Sequence, residues 1–156
     1  MVRMYTDGSC LGNPGKGGWG AIALDNDEQI IFELSGGEPK STNNIMELTA
    51  VIKGLEQIQT LGVNNVTVIT DSKYVSQGIT SWMGQWIKKD WKRSDGKPVK
   101  NKELWIQLHL LNLQITNIQW EWVKAHNGNK WNEKVDTVAR DCAKIIDNKD
   151  DIQEYI

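Results

Sequence analysis

Cysteine is scarce in this sequence: Cys10 and Cys142 are the only two among 156 residues, so a disulfide framework is not what holds the fold. No apolar stretch reaches signal-peptide or membrane-spanning length, and the first residues already alternate apolar and polar in the manner of a strand. These absences lead us to expect a reduced, soluble, cytoplasmic protein without a membrane partner. Internal repeats and low-complexity segments are also missing. Net charge is small, −2 at pH 7, and by itself points to no anionic partner. A chain of this length is most simply one domain, able to bury about 68 to 70% of its unfolded surface around a single core.

Charge is plentiful but unevenly placed. Residues 88–102 carry Lys88, Lys89, Lys92, Arg93, Lys97, Lys100 and Lys102 against Asp90 and Asp95 alone. From Asp141 onward the balance reverses, with five acids against Lys144 and Lys149.

The chain reads as β-β-β-α-β-α-α-α-β-α. Val2 to Thr6, Trp19 to Leu24 and Ile30 to Leu34 form three strands of an antiparallel meander, the first two joined by the turn-forming stretch from Gly12 to Gly18. After Gly36-Gly37 the period changes: Ile45, Leu48, Ile52 and Leu55 make the stripe of a helix packed on a sheet, which Gly62 ends. Val66 to Ile69 is a strand running into a helix through Asp71-Ser72-Lys73. Helical patterns follow through Trp82 to Trp86 and from Lys102 to about Leu113. Ile118 to Val123 alternates as the fifth strand, and a last helix covers roughly Asn132 to Ile146. Helical crossovers make the later strands parallel, so the fold class is α/β with a five-stranded mixed sheet, three antiparallel strands then two parallel, flanked by helices.

Four acids have local settings that present a carboxylate. Asp7 ends the first strand, Asp71 ends the fourth, Glu47 lies in the first turn of the first long helix and Asp136 lies early in the last. Strand ends and helix beginnings gather on the edge of an α/β sheet where ligands bind. Each acid taken singly has an ordinary structural reading. Asp7-Gly8-Ser9 fits a turn, Asn44-Ile45-Met46-Glu47 fits a capping box with Asn44 as N-cap, and Asp71 and Asp136 suit helix N-termini. Jointly they resist those readings, because converging carboxylates without a cation raise one another's pKa and weaken the fold.

These motifs carry a resemblance. Tyr5-Thr6-Asp7-Gly8-Ser9-Cys10-Leu11-Gly12-Asn13-Pro14-Gly15, Thr42-Asn43-Asn44-Ile45-Met46-Glu47, Thr70-Asp71-Ser72-Lys73, Trp120 through His126 and Asn132 through Asp136 together resemble type 1 ribonucleases H, over nearly the whole chain. The segment from Trp86 through Asn101 is similar to the substrate-binding basic protrusion of that family. The resemblance implies a ribonuclease H-like fold, with residues 1–146 as one domain and a basic protrusion around 82–102; residues 147–156 are an acidic tail outside the resemblance, expected to be disordered or to lie against basic surface. It implies an endonuclease that cuts the RNA strand of RNA-DNA hybrids and leaves 3′-hydroxyl and 5′-phosphate ends. Two Mg²⁺ ions, with Mn²⁺ able to substitute, are implied on Asp7, Glu47, Asp71 and Asp136, with Asp7 bridging both. Hard oxygen donors suit such ions, and a metal pair can activate water and receive the leaving oxygen.

His126 matches the family's loop histidine, thought to move protons or help product leave. An idle surface histidine is the plain alternative, and His109, inside a helical run, reads as structural. Gly12, Asn13 and Asn44 fall where the family contacts the RNA strand, which only its 2′-hydroxyls mark. Thr42 and Asn43 resemble residues lining a DNA phosphate pocket. Lys88, Lys89 and Lys92, with Trp82, Trp86, Trp91 and Trp105, suit a nucleic-acid groove, although Trp82 and Trp105 are equally placed for the core. Ile45, Lys73 and Asn129-Lys130-Trp131 depart from the family pattern. Lys73, standing where glutamine is common, adds a charge suited to a substrate phosphate. A non-catalytic hybrid-binding module would lack one of the acids, and a DNA nuclease of the same broad fold would lack the Thr42 to Glu47 arrangement. We expect a monomer, exposed tryptophans being the feature that could otherwise mediate association.

Overall fold

Five strands make one mixed sheet in the order β3-β2-β1-β4-β5. In the computed structural model the backbone of residues 1–153 and the side chains of residues 1–146 are described; the tail expected over 147–156 has no described side chains. β1 (Val2–Leu11), β2 (Gly15–Leu24) and β3 (Ile30–Ser41) pair antiparallel. β4 (Asn65–Thr70) runs parallel to β1, and β5 (Asn117–Trp122) parallel to β4. The expected mixed sheet is thus present.

Both faces of the central strands are covered, which is why they read as apolar runs. Met4, Ala21, Ala23, Val66 and Val68 face α1 (Asn43–Thr60) and α4 (Lys102–Gln114) in the larger core, with Leu48, Val51, Leu55, Trp105 and Leu108. On the opposite face Tyr5, Ile22, Leu24 and Ile69 pack against Trp131 and Val135 of α5 (Lys130–Gln153). Between β4 and α4 lie α2 (Lys73–Gln77), a π-helical turn over Gly78–Trp82, α3 (Met83–Lys88) and the basic loop. The loop is anchored rather than loose: the Val99 N–H donates to the Trp91 carbonyl at 3.0 Å, and the Val99 side chain is buried.

The first three strands are longer than the sequence pattern suggested. The turn between β1 and β2 is only Gly12-Asn13-Pro14, and the glycines after it belong to β2. Likewise β3 continues through Gly36-Gly37 to Ser41. These glycines are places of close approach rather than turns. A Cβ on Gly18 would collide with the backbone of Ala139 and Ala143 in α5, and one on Gly36 would meet the Trp19 ring. Asp7 consequently lies inside β1 rather than at its end; what ends beside it is the pairing with β4, whose last partners are Thr6 and Thr70.

The cap of α1 also differs from expectation. Thr42 is the N-cap, its Oγ1 accepting from the Ile45 N–H at 3.2 Å, so Asn44 lies inside the helix and Glu47 sits beyond its first turn. Gly62, with φ of +72°, follows the helix end as expected.

Candidate active site

Glu47 is turned inward where α1 crosses β1. Gly8 makes this crossing close: its N–H donates to Glu47 Oε1, and a Cβ there would strike the backbone of Met46 and Glu47. Asp71 follows β4 directly, with the Ser72 N–H donating to Thr70 Oγ1 at 3.0 Å and Ser72 capping α2 through the Val75 N–H. The outcome is a cluster in which one carboxylate oxygen from each of Asp7, Glu47 and Asp71 lies within 4.8 Å of the others. Asp7 is 3% exposed and Glu47 8%.

Burial is the largest cause of an upward pKa shift at all three. Asp7 is pushed up to about 12, with Glu47 and then Asp71 and Asp136 adding to the effect of burial. Glu47 rises to about 7; Asp71 raises it further, while the Asp7 carboxyl, the Gly8 N–H and the Ser72 hydroxyl oppose the rise. At Asp71, Asp7, Asn132 and His126 partly offset burial and the nearby charge of Asp136. Buried hard oxygens that resist ionising together fit a divalent cation, which would relieve all three at once.

Asp136 stands beside this group without belonging to the set of three. It raises the pKa of both Asp7 and Asp71, but its Oδ2 is paired with Arg140 Nη2 at 3.2 Å, one helical turn along α5. The sequence reading missed Asn132. It is buried, and its Nδ2 lies 3.5 Å from Asp71 Oδ2. Its spacing of four from Asp136 puts the two on one face of α5 and was the available signal. Trp122, which donates from Nε1 to the Asp71 carbonyl oxygen at 3.0 Å, was missed as well.

The remaining expected residues spread outward from the acids. His126 is exposed in the loop before α5, with φ of +55°, near enough to act electrostatically on Asp71. His109 packs near Trp91 with the rings tilted, 6.1 Å between ring centres, in keeping with its structural reading. Asn13 Oδ1 accepts from the Asn43 N–H at 3.2 Å and so ties the Gly12-Asn13-Pro14 turn to the start of α1. Gly12, Asn13, Thr42, Asn43 and Asn44 therefore form one surface. Lys73 is exposed at the start of α2. Lys88, Lys89 and Lys92 are exposed, beside half-buried Trp82, Trp86 and Trp91.

Trp105 requires correction as a substrate contact. It is fully buried, donates from Nε1 to the Tyr74 hydroxyl at 2.9 Å and packs on Trp86 at 5.2 Å, so it has no surface to offer a nucleic acid. Its part is to support the aromatic row of Tyr74, Trp82, Trp86 and Trp91 from beneath.

The RNase H family model matches residues 1–144. A ribonuclease H of Neorickettsia sennetsu is 52% identical over 147 residues, covering 93% of this chain and 94% of that protein. Among solved structures, the N-terminal RNase H domain of a Mycobacterium tuberculosis protein superposes with a TM-score of 0.78 at 28% identity, covering 95% of this chain and 96% of that one. LC11-RNase H1, solved in complex with an RNA/DNA hybrid, superposes with a TM-score of 0.75 at 22% identity, covering 94% and 99%.

Proposed function

This chain belongs to the RNase H family, and from that premise we propose an endonuclease that hydrolyses the RNA strand of RNA-DNA hybrids, leaving 3′-hydroxyl and 5′-phosphate ends. The observation that carries the reading is the trio of Asp7, Glu47 and Asp71, held together by a rigid sheet and a buried helix although each resists ionisation beside the others. These three, with Asp136 adjoining, would hold two divalent cations, Mg²⁺ foremost with Mn²⁺ as a substitute. When bound, such ions acidify an attacking water and neutralise charge on the scissile phosphate and departing ribose oxygen.

The chain's own groups do the rest. Asp7, on the central strand between Glu47 and Asp136, fixes the spacing of the donor oxygens. The Gly8 N–H and the Asn132 amide orient the carboxylates of Glu47 and Asp71, limiting the reorganisation needed when a cation arrives. His126, exposed on its loop, would take or return a proton at the edge of the site. Gly12, Asn13 and Asn44 offer backbone and amide groups to ribose 2′-hydroxyls, and Thr42 and Asn43 face a phosphate of the DNA strand. Lys73, Lys88, Lys89 and Lys92 neutralise phosphates, while the edges of Trp82, Trp86 and Trp91 pack on sugars or bases.

The hybrid partner is supported by the family and by the complex known for LC11-RNase H1. No helix among the described residues is long and apolar enough to cross a membrane, and Cys10 and Cys142 are both free. We read the enzyme as cytoplasmic and monomeric. The test presents end-labelled RNA-DNA hybrid, double-stranded DNA and double-stranded RNA with Mg²⁺, with and without EDTA. Cleavage of the RNA strand of the hybrid alone, abolished by EDTA, is expected. Cleavage confined to double-stranded DNA would replace this reading with that of a DNA nuclease.

A further inference from the structure

Asp71 is pinned from two other elements besides its own strand. Asn132 reaches its carboxylate from α5, and Trp122, the last residue of β5, donates from Nε1 to its carbonyl oxygen at 3.0 Å. The same indole lies under Lys73, whose Nζ is 5.6 Å from the ring centre. One ring thus touches the residue before Ser72 through its edge and the residue after it through its face. Core packing does not account for this: Trp122 is 41% exposed and is part of neither hydrophobic cluster. Register explains how it gets there. Trp122 pairs with Thr70 in the parallel β4–β5 ladder, and the next backbone bond, from the Val123 N–H to the Thr70 carbonyl at 2.9 Å, locks the strand end beside Asp71.

We propose that Trp122 is a positioning residue for the reaction, its N–H fixing the chain segment that presents the Asp71 carboxylate and its ring holding the Lys73 ammonium beside the acid cluster as a charge for a substrate phosphate. The inference rests on the hybrid-nuclease reading and extends it to a residue which that reading does not use. A lysine on open surface samples many rotamers, and a cation held over an indole face samples fewer, so the charge is pre-arranged before the polyanion binds. The indole N–H constrains Asp71 through its backbone, and hence the donor oxygen it offers a cation.

Three variants separate the two jobs. Trp122→Phe keeps a ring beneath Lys73 and removes the N–H, Trp122→Leu removes both, and Lys73→Met removes the charge. Mn²⁺ affinity is measured by calorimetry, and kcat and KM on a labelled hybrid across a salt series, with circular dichroism establishing that each variant folds. Trp122→Phe is expected to weaken Mn²⁺ binding and lower kcat, each by about threefold to tenfold, as for the loss of one hydrogen bond. Lys73→Met is expected to raise KM and reduce the salt slope by about 1, and to do much less of either in the Trp122→Leu background. Should Trp122→Leu fail to fold, Trp122→Phe alone decides the positioning claim. Lower melting temperatures with unchanged Mn²⁺ affinity, unchanged kcat and additive Lys73 effects would overturn the proposal. If the wild type cleaves no hybrid, the functional reading falls, while the Mn²⁺ affinity of Trp122→Phe still decides this one.

Discussion

Asp7 and Glu47 hold protons, in the absence of metal, at a pH where free carboxyls have lost theirs. Burial is the main reason; the nearby Glu47 and Asp71 raise Asp7 further and Asp71 raises Glu47 further, while Asp7 opposes the rise at Glu47. A carboxyl whose folded pKa is raised contributes stability that is complete below its unfolded value near 4 and is lost as pH rises toward the folded value. For Glu47 that window runs from about 4.5 to about 7, and for Asp7 it stays open to about 12. Each proton retained only by the folded state gives a slope of about 1.4 kcal/mol per pH unit. Metal-free protein should therefore melt at progressively lower temperature between pH 5 and pH 8, with added Mg²⁺ or Mn²⁺ raising the melting temperature more at pH 8 than at pH 5. Asp7→Asn should flatten the slope, raise metal-free stability and abolish cleavage while leaving hybrid binding in place. Substantial turnover by that variant, or a melting temperature independent of pH in the wild type, would contradict the assignment. The identity of these acids was legible in the sequence because each sits in a motif with polar neighbours. Two of their positions were not. The pattern puts Asp7 at a strand end and Glu47 in the first helical turn, with an Asn44 cap as its structural alternative, whereas β1 runs on past Asp7, Thr42 caps the helix and Gly8 admits Glu47 to the cluster.

The elements are set by where glycine permits contact. Gly18 lies under α5, so its missing side chain lets that helix descend onto β2 and carry Asp136 and Asn132 toward Asp7 and Asp71. Gly18→Ala would force α5 outward against backbone rather than a yielding side chain, an overpacking cost of about 2 kcal/mol or more. Chemical denaturation should show that loss, together with weaker metal binding at neutral pH, because α5 carries two of the site's groups. A variant with wild-type stability would mean that α5 does not sit so close. Local sequence rules read such glycines as turns, since composition cannot distinguish a bend from a close approach. That is why the strands were expected to be shorter than they are, although strand count and direction followed from the change of hydrophobic period and the helical crossovers; the placing of β4 beside β1 and β5 beside β4 did not. The basic loop shows the converse: its charge was evident in the sequence, but its anchoring through Val99 and Trp91 depends on side chains that meet only in the fold.

For the whole molecule, the proposed function requires a carboxylate cluster and a cationic segment to meet one polyanionic substrate. Small net charge conceals this division, because three acids gather in the cluster and five more follow from Asp141 onward, while seven basic residues fall within 88–102. Replacing Lys88, Lys89 and Lys92 together by alanine should weaken hybrid binding and lower its logarithmic salt slope by up to about 3, as expected if each meets a phosphate. An unchanged slope would remove the basic loop from the binding surface. Trp105 sets a limit on what pattern reading could assign: among the tryptophans near that loop, only burial in the folded protein separates the core member from those with an edge to offer. If the cluster is a cation cage, anomalous scattering from a crystal with hybrid and Mn²⁺ will locate the ions in it. A manganese peak contacted by carboxylate oxygens of Asp7, Glu47 and Asp71 is the predicted result; hybrid bound across the site with no manganese among those three side chains would contradict it.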